Sequence, residues 1–348
     1  MKAGMPMDQF LAEVARREEA KADYVVSPRK MMVESDDATL VIEKAGSFKL
    51  NNIAHAQFAG KFDIPKKFYD ELPSRVPGLR STLVNGLMSA DTERRMVRTL
   101  DGEARALVSD RFRPIDNFLV MQAILPVFAK HPDMEVVSLQ LSDTRMYLQV
   151  VFPRIAGEVA VGDIVQSGVI ITNSEVGMGS QDVRSIVWRL RCRNGMVGES
   201  IMRKYHVGRR VGDDEEDYSI YTDETIKAEL KSFQLRLRDT LKSAITQANF
   251  DQQLSKLVAT TKDELPTNVE GLVENVTKHY SLTKEEGKKV LSNLWKGKDN
   301  TRWGLVNAIT AVAHDADDPD RQYDMERTGH DLVVIGRRGW EELTKVDD

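Results

Sequence analysis

Four consecutive strand patterns with no helical pattern between them constrain the fold more than any other feature of this sequence. Each segment is rich in β-branched and aromatic residues: Val136–Leu141, Arg145–Phe152, Ile164–Thr172 and Val183–Arg193. Ser142-Asp143-Thr144 joins the first pair, and Asn194-Gly195, a dipeptide typical of two-residue hairpins, follows the last. Because parallel strands need long crossover connections, usually helices, this block predicts an antiparallel sheet.

Helical spacing dominates on both sides of this block. The expected helices cover about residues 7–22, 51–58, 64–73, 78–88, 116–127, 220–262, 268–280, 281–297 and 300–315. One further hairpin is expected around Asp101-Gly102. The sequence therefore predicts an α+β fold, in which an antiparallel sheet with flanking helices is followed by a helical C-terminal region.

The charges divide the chain into two parts. The net charge of -5 argues against a uniformly basic nucleic-acid binder. Residues 1–212 hold 30 basic and 26 acidic residues (+4), whereas residues 213–348 hold 19 and 28 (-9). We interpret 1–212 as an α+β domain and 213–348 as an acidic, mainly helical region that packs on it as one cooperative unit. The acidic run Asp213–Asp217 is either a solvated linker between them or a local clamp for the basic residues before it.

Several classes of protein are excluded by simple counts. The single cysteine, Cys192, excludes a disulfide scaffold and any multi-cysteine zinc or iron–sulfur site. No two histidines are three or four residues apart, so a helical zinc pair is absent. No apolar run approaches the roughly 20 residues of a membrane span, and the N-terminus lacks a signal-peptide core. We expect a soluble cytoplasmic protein with no cofactor, no metal and no membrane partner.

The last predicted strand carries a row of arginines. Alternation places Ile186, Trp188, Leu190 and Cys192 on one face and Val187, Arg189, Arg191 and Arg193 on the other. Arginines at every second strand position are about 6.6 Å apart, and their planar forks suit phosphate oxygens. That spacing resembles the phosphates of an extended single strand of nucleic acid. The alternative is a solvated face whose arginines pair with acids on neighbouring strands.

Other basic residues extend this hypothesis to a wider surface. They follow the strand or lie in an earlier loop: Arg203, Lys204, Arg209, Arg210, Arg111 and Arg113. The earlier group also holds Arg94, Arg95, Arg98 and Arg105. Acids such as Glu103 and Asp110 are interleaved with it, so intramolecular salt bridges are favoured there, although Arg111 and Arg113 could still extend a binding groove.

A second set of polar residues suggests a pocket. Asn173 and Glu175 come at the end of a predicted strand, and Asn307 and His314 lie on one polar stripe of a late helix. If the four meet, Glu175 is a candidate general base and His314 an acid or metal ligand. The competing interpretation is structural: a hairpin loop, and buried polar residues that fasten the helix.

Several ordered motifs resemble a known family, the phage/plasmid-like proteins. They are Phe62–Tyr69, Arg98–Gly102, Arg105–Asn117, Asn173–Ser180, Cys192–Met196 and Trp303–Ala308. This is a domain-of-unknown-function family of phages, prophages and plasmids, and the resemblance spans roughly Tyr24 to His314. It implies one architecture across the acidic run and a mobile-element protein in a bacterial cytoplasm. It implies no activity and no catalytic residues.

Three functional hypotheses follow. The first is a phage or plasmid DNA-metabolism protein that binds nucleic acid, single-stranded DNA in particular, or promotes annealing; the acidic C-terminal region would then dock partners or compete with the nucleic acid. The second is an enzyme with the polar, metal-assisted pocket described above. The third is a protein that acts by binding a host factor. A homo-oligomer is compatible with each.

Overall fold

The computed structural model describes residues 4–35, 37–190, 194–204 and 223–346. Within these ranges eleven strands form two sheets: β1 Ala22–Val26, β2 Met31–Val33, β3 Thr39–Ile42, β4 Gly46–Leu50, β5 Arg95–Leu100, β6 Glu103–Ser109, β7 Glu135–Leu141, β8 Met146–Ala160, β9 Asp163–Asn173, β10 Gln181–Arg189 and β11 Asn194–Lys204. The helices of the same ranges are α1 Met7–Ala20, α2 Asn52–Lys61, α3 Lys66–Arg75, α4 Leu79–Ala90, α5 Asn117–Phe128, α6 Asp223–Ala244, α7 Gln247–Thr260, α8 Val269–His279, α9 Lys284–Gly297, α10 Arg302–Ala313, α11 Pro319–Val334 and α12 Arg337–Leu343.

The first sheet has six strands in the order β1-β5-β6-β4-β3-β2. Its pairs are antiparallel except β4 and β6, which run parallel. Helices α2 to α4 supply Phe58, Tyr69 and Val84 to a core against this sheet. The predicted hairpin at Asp101-Gly102 is present between β5 and β6, with both turn residues at positive φ.

The second sheet confirms the prediction from the sequence. Its five strands follow the chain, in the order β11-β10-β9-β8-β7, and every neighbouring pair is antiparallel. Helices α5 and α6 pack on one face around Val150 and Ile171. On the other face, Tyr323 of α11 packs against Tyr147 and Ile186. The α+β class with a helical C-terminal region is therefore established.

The helices after residue 223 pack onto this sheet. Leu305 and other residues of α7 to α11 share one apolar cluster with Val165, Val187 and Met196 of the strands. The indole Nε1 of Trp303 donates a hydrogen bond to Asp163 at 2.8 Å, at the start of β9. Trp303 and Leu305 thus dock α10 onto the sheet, while the boundary at residues 212 and 213 lies outside the described residues.

No helix among the described residues is both long enough and apolar enough to span a lipid bilayer.

We expect the sheet and the late helices to unfold as one cooperative unit, because strands and helices share the cluster around Val187. Urea unfolding followed by tryptophan fluorescence and by far-UV circular dichroism should give coincident transitions. Two separate transitions, or a stably folded 1–212 fragment, would contradict this expectation.

Candidate functional site

Four strands of the second sheet have their ends together on one side of the molecule. Met146 at the start of β8 pairs with Asn173 at the end of β9, and Gln181 at the start of β10 pairs with Lys204 at the end of β11. We call this region the strand end. It is the place where the sequence predicted polar functional groups, and Asn173 lies there.

A fully buried guanidinium, that of Arg98, makes hydrogen bonds to several segments next to the strand end. Arg98 of β5 donates from Nε and Nη2 to the two carboxylate oxygens of Asp23, at 2.9 and 3.1 Å. Its Nη2 also donates to Asp116 at 2.8 Å, and its Nη1 donates to the backbone carbonyl of Glu175 at 2.6 Å. Arg98 thereby ties β1 and β5 of the first sheet to the start of α5 and to the loop after β9.

Asp116 stands between two cations at the start of α5. It occupies the N-cap position, but its carboxylate pairs with Arg98 and Lys21 and makes no hydrogen bond to the helix. Burial alone would raise the pKa of Asp116, yet the adjacent positive charges of Arg98 and Lys21 outweigh that effect, and its pKa lies below the ordinary value of 3.8.

Glu175 and Asn173 are brought together through Asn117. One carboxylate oxygen of Glu175 accepts from Arg105 Nη1 and the other from the backbone N–H of Asn117, both at 2.7 Å. The amide of Asn173 donates to Asn117 Oδ1 at 2.8 Å and to the carbonyl of Ile115 at 2.7 Å. Both oxygens of Glu175 are engaged, so its role is to hold the segment before α5, which we call loop 109–117, against the end of β9.

Several buried atoms near these contacts have no hydrogen-bond partner in the described part of the chain. They are Nε and Nη2 of Arg105, Oδ1 of Asn173 and both amide atoms of Gln181. Buried polar atoms of this kind are usually satisfied by ordered water. The interior of the strand end is therefore polar and suited to hydrogen bonding.

Four basic residues lie on the segments that meet at the strand end. Arg111 and Arg113 lie half-buried on loop 109–117, and their guanidinium groups make no ion pair with any described residue. Lys204 is exposed, as is Arg203, which approaches the buried carboxylate of Asp182 at 3.3 Å. We call these four residues the basic rim.

Arg189 does not belong to this surface, which corrects the expectation of an open arginine row. Its Nε pairs with Asp163 at 2.6 Å, its side chain is 13% exposed, and its guanidinium lies 5.8 Å from the ring of Trp303. Val187, predicted on the same solvated face, is buried as well. The predicted alternation holds from Ile186 to Arg189, where β10 ends, and helices from later in the chain cover both faces of the strand. Leu190, predicted on the core face, is 42% exposed.

Four other predicted phosphate-binding residues cannot be placed. Arg191, Arg193, Arg209 and Arg210 lie outside the described residues.

The predicted four-residue pocket does not form. Asn307 donates to the carbonyl of Trp303 at 2.9 Å, and Trp303 contacts Asp163 at the opposite end of β9 from Asn173. Because β9 has 11 residues, these two ends are separated by about 33 Å. His314 is the C-cap residue of α10. One turn earlier in that helix, Thr310 accepts a hydrogen bond from Asn194 at the start of β11. The polar stripe of α10 fastens that helix, and no group of three potential metal ligands occurs among the described residues.

A separate cleft of about 350 Å³ lies beside α7 and the end of α11. Its charged groups are already paired, Lys256 with Glu199 at 2.6 Å and Arg302 with Asp263 at 3.0 Å. Arg302 also donates to the carbonyls of Leu332 and Val333, so it closes the last turn of α11. The charged side chains that line this cleft are therefore already paired with one another and are not available to a ligand.

Sequence reasoning missed the residues that build the strand end from inside. The sequence indicates intramolecular salt bridges in the mixed-charge segment that holds Arg98 and Arg105, and a helix that begins near Asp116, but not that these residues meet in the interior. An arginine with an acid nearby in sequence suggests a surface salt bridge, because charged residues are rarely buried. Only the three-dimensional contacts reveal that Arg98 is fully buried.

Comparison with known proteins gives one match. The model of the family Domain of unknown function (DUF932) matches residues 105–329, which is more than half of the chain. The matched range includes loop 109–117, the whole second sheet and α5 to α10. No curated protein and no solved structure is significantly similar to the chain.

We predict that Asp116→Asn lowers the free energy of unfolding by about 1.5–3 kcal/mol at neutral pH, because it removes one of the two carboxylates that neutralise buried Arg98 and also the buried partner of Lys21. The pKa of Asp116 is depressed in the folded protein, so its stabilisation is complete above pH 3.8 and is lost as the pH falls through its lower folded pKa. The stability difference between parent and variant should therefore narrow only in acid. Urea unfolding over a pH series measures it, with exposed Asp8→Asn as control; a difference unchanged in acid would contradict the assignment.

Proposed function

The chain belongs to the family Domain of unknown function (DUF932), and within it we propose that this protein binds nucleic acid, single-stranded DNA in particular, at the basic rim of the strand end. The ligand backbone would contact Arg111, Arg113, Arg203 and Lys204. Arg189, which the sequence had placed first, contributes to folding and lies outside this interface.

The proposal rests on a contrast between buried arginines that form ion pairs and loop arginines that form none with the described residues. Arg98, Arg105 and Arg189 are largely buried, and each forms an ion pair with a carboxylate. Arg111 and Arg113 lie on a loop fixed by that buried network, yet make no ion pair with described residues. A rigid loop that presents uncompensated guanidinium groups loses little conformational entropy on binding phosphates.

The shape of the rim favours a single strand over a duplex. The rim combines a short irregular loop with the end of β11, and neither presents a helix or ribbon of the kind that enters a duplex groove. A flexible single strand can follow such an uneven basic surface, and its affinity would come mainly from phosphate contacts and depend on salt.

The motif resemblance supports a biological setting for this activity. Loop 109–117 lies within one of the motifs shared with phage/plasmid-like proteins, Arg105–Asn117. We propose that the protein acts in phage or plasmid DNA metabolism within a bacterial cell, as a single-strand-binding or annealing-type protein.

Three of the four rim charges, those of Arg111, Arg113 and Lys204, can be removed without breaking an ion pair among the described residues. We predict that Arg111→Gln/Arg113→Gln/Lys204→Gln weakens binding to labelled oligothymidylate, because three phosphate contacts are lost. Plotted as log affinity against log salt, the slope should flatten by about 2 units, at about 0.7 per contact. Fluorescence anisotropy between about 50 and about 200 mM salt measures it, with a matched duplex for comparison.

A control of equal charge tests whether the effect is local. Lys130, Arg337 and Arg338 are exposed at the far end of α5 and on α12. The variant Lys130→Gln/Arg337→Gln/Arg338→Gln should keep the parent slope. Absence of DNA binding by the parent at low salt, or equal slopes for the parent and the rim variant, would refute the proposal.

A further inference from the structure

We infer that the C-terminal end of α9 is a second contact for single-stranded nucleic acid, in which Trp295 stacks on a base and Lys296 and Lys298 contact neighbouring phosphates. This inference rests on the proposed function for the identity of the ligand. It concerns a different surface, with its own residues and its own test.

Trp295 is exposed, whereas the other three tryptophans are buried or covered by a neighbouring side chain. Its exposure is 59%, against 9% for Trp188 and 2% for Trp303, and the ring of half-buried Trp340 is covered by the guanidinium of Arg302 at 4.7 Å. An exposed tryptophan forfeits a large hydrophobic gain, because burial of the ring removes 150–250 Å² from water. Core packing therefore does not account for a tryptophan here.

The helix itself explains why Trp295 points outward. The buried stripe of α9 consists of Gly287, Val290 and Leu294, which face the neighbouring helices. Trp295 follows Leu294 by one residue and is thus rotated by about 100° from that stripe. The ring is presented by a rigid helix that is tied to α8 and α10 through its other side.

The charge around Trp295 is positive and uncompensated. Lys296 and Lys298 are exposed and make no ion pair with a described residue, whereas Lys288 and Lys289 of the same helix pair with Glu285 and Asp315. Asp299, the nearest acid in sequence, accepts hydrogen bonds from the backbone and hydroxyl of Thr301. A lysine at a helix C-terminus can be explained by the helix dipole alone, but that explanation does not cover the adjacent tryptophan.

The combination selects the kind of ligand. A protein partner would be expected to bury a wider apolar patch, but the residues that follow Trp295 are Lys296, Gly297 and Lys298. An aromatic face beside two cations matches the bases and phosphates of a single strand, because every base can stack and every linkage is anionic. Single-stranded DNA is therefore the ligand to which we assign this surface.

The two surfaces are compatible with one bound strand. Arg321 at the start of α11 pairs with Glu286 in the first turn of α9, and the adjacent Asp320 accepts from Thr144 near the start of β8 at 2.8 Å. α9 has 14 residues and is therefore about 21 Å long. Trp295 lies at the other end of α9, eight residues before Trp303, which contacts Asp163 at the far end of β9. A strand of several nucleotides that runs along α9 would therefore be needed to occupy both surfaces.

The test combines affinity with intrinsic fluorescence. Oligothymidylate should quench the tryptophan emission of the parent, and Trp295→Phe should remove most of that quenching. Trp295→Ala should weaken binding about 5- to 150-fold, the range for loss of one stacked base. Lys296→Gln/Lys298→Gln should flatten the salt slope by about 1.4 units. Phe68→Ala, which removes another exposed aromatic ring, should bind as the parent does.

The outcomes separate this inference from the proposed function. If the rim variant loses affinity while Trp295→Ala binds and quenches as the parent does, the second contact is refuted and the proposed function stands; Trp295 would then be left for a protein partner. If Trp295→Ala weakens binding and the rim variant does not, the rim is refuted and the second contact stands. If the parent binds no single-stranded DNA at low salt, both are refuted. Circular dichroism shows whether each variant is folded.

Discussion

The buried guanidinium of Arg98 connects segments that are distant along the chain. Its partners Asp23, Asp116 and Glu175 lie 75, 18 and 77 residues away in sequence. An unpaired buried charge is very unfavourable, so these partners must arrive together for the folded state to be stable. Through this one side chain, β1 and β5 of the first sheet are fixed to the start of α5 and to the end of β9 in the second.

The same network determines which charges remain available at the surface. Glu175 fixes Arg105 and the backbone of Asn117, so that loop 109–117 has little freedom to move. The acids that neutralise positive charge are used inside, and Arg111 and Arg113 extend from the loop without carboxylate partners in the described residues. In this account, a buried ionic network gives a polyanion-binding surface its rigidity without touching the ligand.

The sequence was informative where local signals decide the structure. The second sheet follows from turn residues and strand patterns, and helix α10 follows from helical spacing. Strands β1 to β4 were missed, because segments of three to five residues give too short a pattern to recognise. Asn173 and Glu175 were placed correctly at a strand end, since their position depends only on the adjacent strand.

Predictions that depend on distant segments failed. The alternation of Arg189 was correct, but nothing in the strand itself indicates that α10 brings Trp303 over it and that Asp163 neutralises it. Helical spacing likewise puts Asn307 and His314 on one stripe without revealing which end of the sheet α10 contacts.

The most direct test of the account is hydrogen–deuterium exchange with and without oligothymidylate at low salt. We predict slower exchange in the bound protein at residues 109–114, at residues 200–204 and at the end of α9, because ligand binding lowers the rate of local opening there. Unchanged exchange in these three segments, or protection confined to the cleft beside Lys256 and Arg302, would contradict it.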